Sequence, residues 1–466
     1  MAAVVAVAVV VGSGWLWATY RNFDAGLHRI RAIDASTALK SDIDGSAQNI
    51  LMVGSDDRST ATAAERKAIG VRLDGGATLT DTMMLLHVPA NGKKASAISF
   101  PRDSWVAIPG HGMDKLNAAY GDGMRDAQGK GVTNADAIKA SGARLLIRTL
   151  ENLTSLTIDH YVAVDLIGFY RISNAIGGVE VCLNAAQNPS TEGDASHPHG
   201  YSGINLKKGN NLIKGAQALA FVRQRHGLPR GDLDRIVRQQ YFLAAVFRKV
   251  ASAGVLLNPI KLQNLLKAVS SSMVVDGTSG KHNGMEPLSL AQQLQKLSAG
   301  KLTFSTLPTT PDVVDGQSIL RVDAGDVPVF IGKILGTNTR SAYTSAAVMA
   351  PSKVKVSVLN GTATPKLATQ AAATLAKVGF TTDVGDSSAA AATTVIRYPA
   401  GMEAQAKTVA QYVPKATPVL TTDVSVVTLV LGSDGHRAST TKSVPAAAPS
   451  AKKVPSRTAA QAGCIN

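Results

Sequence analysis

Apolar residues run without interruption through Asn49–Gly54 (NILMVG) and stop at a glycine, the pattern of a buried strand that delivers the chain into a loop. A second apolar run, Asp81–Val88, leaves a loop and predicts a strand; after an Asn91-Gly92 turn, Ala95–Phe100 returns as its hairpin partner. Trp105–Ile108 and His160–Asp165 also read as strands, as do Val179–Leu183 and Leu302–Leu307. Between them the spacing becomes helical over Asn134–Leu153, over Leu166–Ile176 up to Gly177-Gly178, and in two or three amphipathic stretches between Leu243 and Leu307. Strands alternating with helices from Asn49 to Pro308 predict one large mixed α/β domain.

A second unit begins at Lys353. Val354–Leu359, Phe380–Val384, Thr393–Tyr398 and Val424–Leu431 read as strands, and Lys366–Val378 and Ala404–Val413 as helices, which predicts a small α+β domain. The chain therefore divides into an apolar segment 1–20, a stalk 21–48, a main domain 49–310, a linker 311–352, a second domain 353–432 and a disordered tail 433–466.

Met1–Tyr20 contains no charged residue and is long enough for a bilayer core, with Trp15, Trp17 and Tyr20 at its end. It predicts a transmembrane helix, a cleaved signal peptide being the alternative. No Lys or Arg precedes it, whereas Arg21, Arg29 and Arg31 follow, so a basic flank upstream is expected. The net charge of +15 draws the chain to an anionic partner: nucleic acid, anionic lipid or an acidic polymer. Two cysteines, Cys182 and Cys464, make neither a disulfide framework nor a zinc pattern.

The richest stretch chemically is Phe221–Gln240 (FVRQRHGLPRGDLDRIVRQQ). Phe221–Arg225 reads as a short strand, which would point Arg223 and Arg225 the same way. A Gly-Leu-Pro-Arg-Gly turn follows, then Asp232 as N-cap of a helix that carries Arg235 and Gln239 one turn apart. Guanidinium forks converging from two elements suit a diphosphate; a solvated basic surface is the alternative. Asp56, Asp57 and Asp81 lie at strand ends, where hard carboxylate oxygens suit Mg²⁺, although each alone could be a loop cap. Arg58 and Arg102 sit in similar loops. Lys115 and Asn117 are polar loop residues or line the site, and His226 is a base or simply exposed. No phosphate-binding Walker loop, dinucleotide fingerprint, zinc-peptidase helix motif or nucleophile elbow occurs.

Taken in order, NILMVGSDDR (Asn49–Arg58), DTMMLLHV, SFPRDSWVAIPG, DKLNAAY, DHYVAVDLIGF, AIGGVEVCL and the arginine stretch resemble the LytR–CpsA–Psr family of bacterial cell-envelope proteins. Lys353–Gly432, with its VLNGT turn, resembles the accessory C-terminal domain of actinobacterial members. The resemblance implies an α/β/α sandwich and a membrane-anchored, extracytoplasmic transferase. Such proteins move a glycopolymer, for example teichoic acid or capsular polysaccharide, from a polyprenyl diphosphate carrier onto peptidoglycan with Mg²⁺, without nucleic acid. By motif, Asp56 and Asp81 match the metal ligands, and Arg58, Arg102, Arg223, Arg225, Arg235 and Gln239 match diphosphate-binding positions; Asp56, Asp81, Arg102 and Arg225 are the expected catalytic set. Hydrolysis of the carrier, or a non-catalytic binding role, is the alternative.

The match is incomplete at one place. Many actinobacterial members bridge the cysteine matching Cys182 to one shortly before the arginine stretch, and Gly203–Gln217 holds none. In the oxidising compartment the resemblance implies, two free thiols are uncommon, and a coil from Ser433 to Asn466 can reach back across the main domain. A Cys182–Cys464 disulfide is the expectation; a buried apolar Cys182 with a free Cys464 is the alternative.

Overall fold

In a computed structural model the described residues are 17–33, 47–55, 61–69, 80–91, 94–251 (except 195, 198 and 199), 258–277, 301–322, 326–335, 343–443 (except 344, 386, 387, 389, 390, 392, 400, 422 and 423) and 456–466 (except 462). The centre is an eight-stranded mixed sheet in the order His28–Ile30, Met273–Asp276, His160–Asp165, Gln48–Ser55, Thr80–Val88, Ala95–Phe100, Leu302–Thr306, Ser456–Thr458. Gln48–Ser55 pairs parallel with His160–Asp165 and antiparallel with Thr80–Val88.

The alternation of side chains along these strands makes the layers. Leu51, Val53, Met83, Leu85, Ile98 and Phe100 pack on one face against Leu145, Leu146 and Leu150 of the helix Ala135–Thr154. Ile50, Met84, Leu86, Ala97, Val162 and Phe304 pack on the other against Leu243, Ala244 and Phe247 of the helix Asp232–Ala251. Both faces of the central strands are thus covered by helices, which is why their sequences are apolar runs and not alternations. The arrangement is the expected α/β/α sandwich. The second domain is a separate five-stranded mixed sheet with the helices Leu367–Val378 and Glu403–Ala410, and its own core around Val356, Val358, Leu375, Ile396, Val409 and Leu429.

The stretches expected to be connectors contribute to the fold. His28–Ile30, within 21–48, pairs parallel with Met273–Asp276. Thr310–Val314, which straddles the 310/311 boundary, and Gln317–Arg321, within 311–352, form a hairpin on the strand Ser104–Ile108, and Val327, Phe330 and Ile331 of the following helix are buried in the main core. In the tail, Ser439 and Ser443 donate backbone hydrogen bonds to Tyr412 and Gln411, and Ser456–Thr458 closes the edge of the large sheet.

The membrane-spanning expectation requires correction. Among the described residues no helix is long and apolar enough to cross a membrane. Tyr20 belongs to a helix over 17–26 that continues through Arg21 and Asp24, and Asp24 receives the Arg29 guanidinium at 2.5 Å. The described part of that helix is about 15 Å long, half a bilayer core. The single-pass localisation is therefore not supported; residues 1–16 of the expected span lie outside the described residues.

A buried carboxylate marks the helix Ala135–Thr154. Glu151 is 5% exposed and accepts from the backbone of Ile158 at 2.9 Å. Burial, with the nearby charge of Asp159, pushes its pKa up to about 7. A carboxyl whose folded value exceeds its unfolded one stabilises the fold fully below the unfolded pKa and loses that contribution as pH rises towards the folded one. Glu151→Gln is thus expected to raise stability at pH 8 by on the order of 2 kcal/mol and to be neutral near pH 5. Urea unfolding of both proteins at the two pH values checks this; equal gains at both would show that the charge is not the cause.

Candidate active site

A cavity of about 680 Å³ opens between the strand ends of the large sheet and the helix Asp232–Ala251. Met52 and Met84, directly opposed across the Gln48–Ser55 and Thr80–Val88 strands, form part of its wall. Val162, Phe169, Phe242, Leu243 and Val246 complete an apolar interior. Asp81, Arg102, Arg223, Arg225, Arg235 and Gln239 stand around the same space. One concavity therefore holds a cationic part and an apolar part.

The backbone sets the polar part. Gly54 pairs with Thr82 and Ser55 with Thr80, so Asp81 is the extra residue of a β-bulge. Bulges re-aim a side chain next to sites, and here Asp81 meets Arg102, whose Nη1 donates to Asp81 Oδ1 at 2.8 Å. Arg102 stands in the Pro101-Arg102-Asp103 turn that ends the strand Ala95–Phe100. Its Nε donates to Asp232 Oδ2 at 3.1 Å, and Asp103 lies at 3.6 Å. Burial disfavours the Arg102 charge, yet Asp232 and Asp81 outweigh it and hold the pKa above the usual arginine value.

Asp232 also accepts from Arg235 Nη2 at 3.0 Å. It is the first residue of its helix, not the expected cap, and its carboxylate bridges two guanidiniums. Arg235 is 6% exposed; burial, then the positive charges of Arg102 and Arg225, pull its pKa below the usual arginine value. Arg235 Nε and Asp232 Oδ1 are buried without a hydrogen-bond partner among the described residues. A desolvated donor beside repelling cations is stabilised by an incoming anion.

The arginine stretch departs from expectation. Arg223 is not on a strand with Arg225: it ends the helix Gly215–Arg223, and Gln224 leaves helical geometry with ψ 131°. Ala218, Leu219, Ala220, Phe221 and Val222 are all buried, and an alanine-rich segment packed on successive positions prefers helix to strand. Arg223 and Arg225 still both reach the cavity, Arg223 half-buried and Arg225 exposed. Arg225 Nε donates to His226 Nε2 at 3.3 Å, and His226 stacks on Tyr201 with ring centroids 3.7 Å apart. Gln239 lines the cavity and donates to the Val222 carbonyl at 3.3 Å.

Lys115 pairs with Asp103 at 3.4 Å behind Arg102, and neither it nor Asn117 is among the cavity-lining residues. Asp56, Asp57 and Arg58 lie outside the described residues, although Ser55, directly before them, lines the cavity. No cluster of three or more His, Cys, Asp or Glu is arranged to hold a metal among the described residues. Missed from sequence were Asp232 as a charge bridge and the Met52/Met84 wall; the apolar runs announced the latter only as core.

A sequence model described as the LytR_cpsA_psr family matches residues 24–331. The chain belongs to the LytR–CpsA–Psr family. A second model, described as LytR cell envelope-related transcriptional attenuator, matches residues 353–434. The family match begins before and ends after the expected 49–310, in line with the strand His28–Ile30 and the helix Asp326–Leu335. Similar curated proteins include the cell wall biosynthesis protein LcpA of Corynebacterium glutamicum, 39% identical over 357 residues, covering 72% of this chain and 65% of LcpA. Another is the polyisoprenyl-teichoic acid–peptidoglycan teichoic acid transferase TagU of Oceanobacillus iheyensis, 36% identical over 206 residues, 44% of this chain and 52% of TagU. The chain thus matches about half to two thirds of these relatives' length. Among solved structures, YwtF (TagT) with bound octaprenyl pyrophosphate lipid is 20% identical with a TM-score of 0.42, covering 64% of this chain and 94% of that one.

Proposed function

We propose that this LytR–CpsA–Psr protein transfers a glycopolymer from a polyprenyl diphosphate carrier to peptidoglycan, forming a phosphodiester. The observation that carries the reading is the two-part cavity. An apolar chamber lined by Met52, Met84, Phe169, Phe242 and Leu243 runs into a rim of Arg102, Arg223, Arg225 and Arg235, which matches an isoprenoid chain joined to a diphosphate and few other metabolites. The name of the TagU relative, a polyisoprenyl-linked teichoic acid transferase, supports it.

In that reaction an acceptor hydroxyl oxygen forms a bond to the glycan-bearing phosphorus. The P–O bond to the bridging oxygen breaks, polyprenyl phosphate leaves, and the hydroxyl proton is released. Arg102 and Arg235 neutralise the phosphoryl oxygens, and Asp232 holds the two guanidiniums side by side against their repulsion. Arg223, at the end of its helix, and Arg225, two residues on, close the rim. Mg²⁺ fits this donor set: Asp81, re-aimed by its bulge onto the cavity wall, offers the hard oxygen that the ion combines with phosphate oxygens and water. Asp81, with Asp56, which follows Ser55 in the sequence, would hold it, and bound there it would add charge neutralisation at the diphosphate.

The test is to incubate the chain with a labelled glycan on polyprenyl diphosphate, with and without peptidoglycan. Label on peptidoglycan is the expected product. Label released into water in both cases would make the protein a hydrolase, and unchanged substrate would leave a binding protein.

A further inference from the structure

Arg238 lies one helical turn beyond Arg235 and does not line the cavity. Its side chain is fully buried, at 0% exposure. Nη1 donates to the Gln224 side-chain oxygen, Nε donates to the Asn466 carbonyl oxygen at 2.8 Å, and the guanidinium carbon sits 5.0 Å above the Phe221 ring. Gln224, 1% exposed, stands between Arg223 and Arg225. Its amide nitrogen donates to Gln187 Oε1 at 2.7 Å and to the His226 carbonyl at 3.1 Å. A chain of hydrogen bonds, buried between Arg238 and Gln224 and partly buried at its two ends, therefore runs from Asn466 through Arg238 and Gln224 into the backbone after Arg225.

The far end of that chain is delivered by the tail. Thr303–Ser305 takes Ser456–Thr458 as an edge strand, and Ala459, fully buried, donates to Leu302. Arg457 lies over the Tyr241 ring at 4.7 Å, and Arg248 donates to the Ala459 carbonyl. Cys464 is disulfide-bonded to Cys182, as expected from the sequence. Ile465 donates to the Cys182 carbonyl at 3.0 Å and accepts from Asn184 at 2.8 Å, which brings the next carbonyl, that of Asn466, onto Arg238.

We propose that Arg238 and Gln224 are positioning residues for the diphosphate site and that the bonded tail is a working part of it. A guanidinium keeps its charge and carries five N–H donors. Nη2 already lacks a partner among the described residues. Withdrawing the Asn466 carbonyl leaves Nε without that acceptor as well, and Arg238 then shifts towards the space the tail has vacated and releases Gln224. Gln224 is the residue at which the helix Gly215–Arg223 stops, and its release would change the spacing of Arg223 and Arg225 on either side of it. A disulfide acting only as a staple would change stability and leave that spacing alone.

This inference rests on the proposed function, and its test separates the two. Octaprenyl diphosphate and octaprenol, in the same detergent, are titrated into the full chain and into Arg238→Met, Gln224→Ala, Cys464→Ser and the double variant Arg238→Met/Cys464→Ser, with melting temperatures recorded in parallel. Each single variant is expected to bind the diphosphate about tenfold more weakly and the alcohol unchanged, and the double variant no more weakly than Arg238→Met alone, because residues on one path are not additive. Should Arg238→Met fail to fold, Gln224→Ala and Cys464→Ser give the same reading. Wild-type diphosphate affinity in these variants, equal losses for diphosphate and alcohol, or a double variant weakened about a hundredfold would each overturn the inference. Arg235→Lys is the control: its loss beside an unaffected Arg238→Met sinks the inference alone, whereas a wild-type protein indifferent to the diphosphate sinks both readings.

Discussion

Arg235→Lys is expected to weaken binding of a polyprenyl diphosphate by about a hundredfold, while Arg225→Lys changes it less than about fivefold. The difference follows from burial. Arg235 is 6% exposed and lines the cavity, so an anion bound beside it meets a largely desolvated cation. Arg225 is exposed, and an exposed charge pair contributes about 0–1 kcal/mol. Breaking a buried, hydrogen-bonded charge pair costs about 2–5 kcal/mol. Lysine keeps the charge of Arg235 and loses the planar fork whose Nη2 reaches Asp232. Calorimetric titration of both variants checks the ranking. Equal affinities for wild type and Arg235→Lys would reduce the site to non-specific positive charge.

Asp81→Ala should lower transfer by more than about a hundredfold, as loss of a charge-stabilising group at a reacting phosphorus does, and shift the melting temperature little. Asp81 supports no core: its side chain is 39% exposed at a bulge. Its removal leaves Arg102 still held by Asp232 at 3.1 Å, so the guanidinium is not orphaned. The loss would therefore report on the carboxylate. Chelation of wild type should reproduce it, and added Mg²⁺ should restore wild type and not the variant. Transfer that survives both the substitution and chelator would remove metal from the proposal.

The hydrophobic pattern determined the sandwich, because strands covered on both faces must be apolar throughout and those runs are visible at Asn49–Gly54, Asp81–Val88 and Ala95–Phe100. In the second domain four of the five strands were legible, with the helix Leu367–Val378 that ends at Gly379 with φ 105°, while the edge strand Thr417–Leu420 was not. The identity of the site's arginines was legible too, since Arg102, Arg223, Arg225 and Arg235 all reach one cavity. Their geometry was not. Whether Phe221–Arg225 is strand or helix end depends on whether Ala218, Leu219 and Phe221 find a partner surface, and Tyr241 and Phe242, on the helix after the turn, join them in one core.

Apart from the Cys182–Cys464 disulfide, the pairings between residues distant in sequence were decided by tertiary structure. Asp232 reads as a helix cap until Arg102, far away in the chain, arrives beside it. Glu151 reads as an ordinary helical carboxylate until packing removes its water. The tail 433–466 reads as disordered because its own composition buries nothing; its edge strand exists only because Leu302–Thr306 offers an unpaired sheet edge. Local sequence carries propensity and periodicity, but the desolvation that gives a charge its strength belongs to the assembled fold.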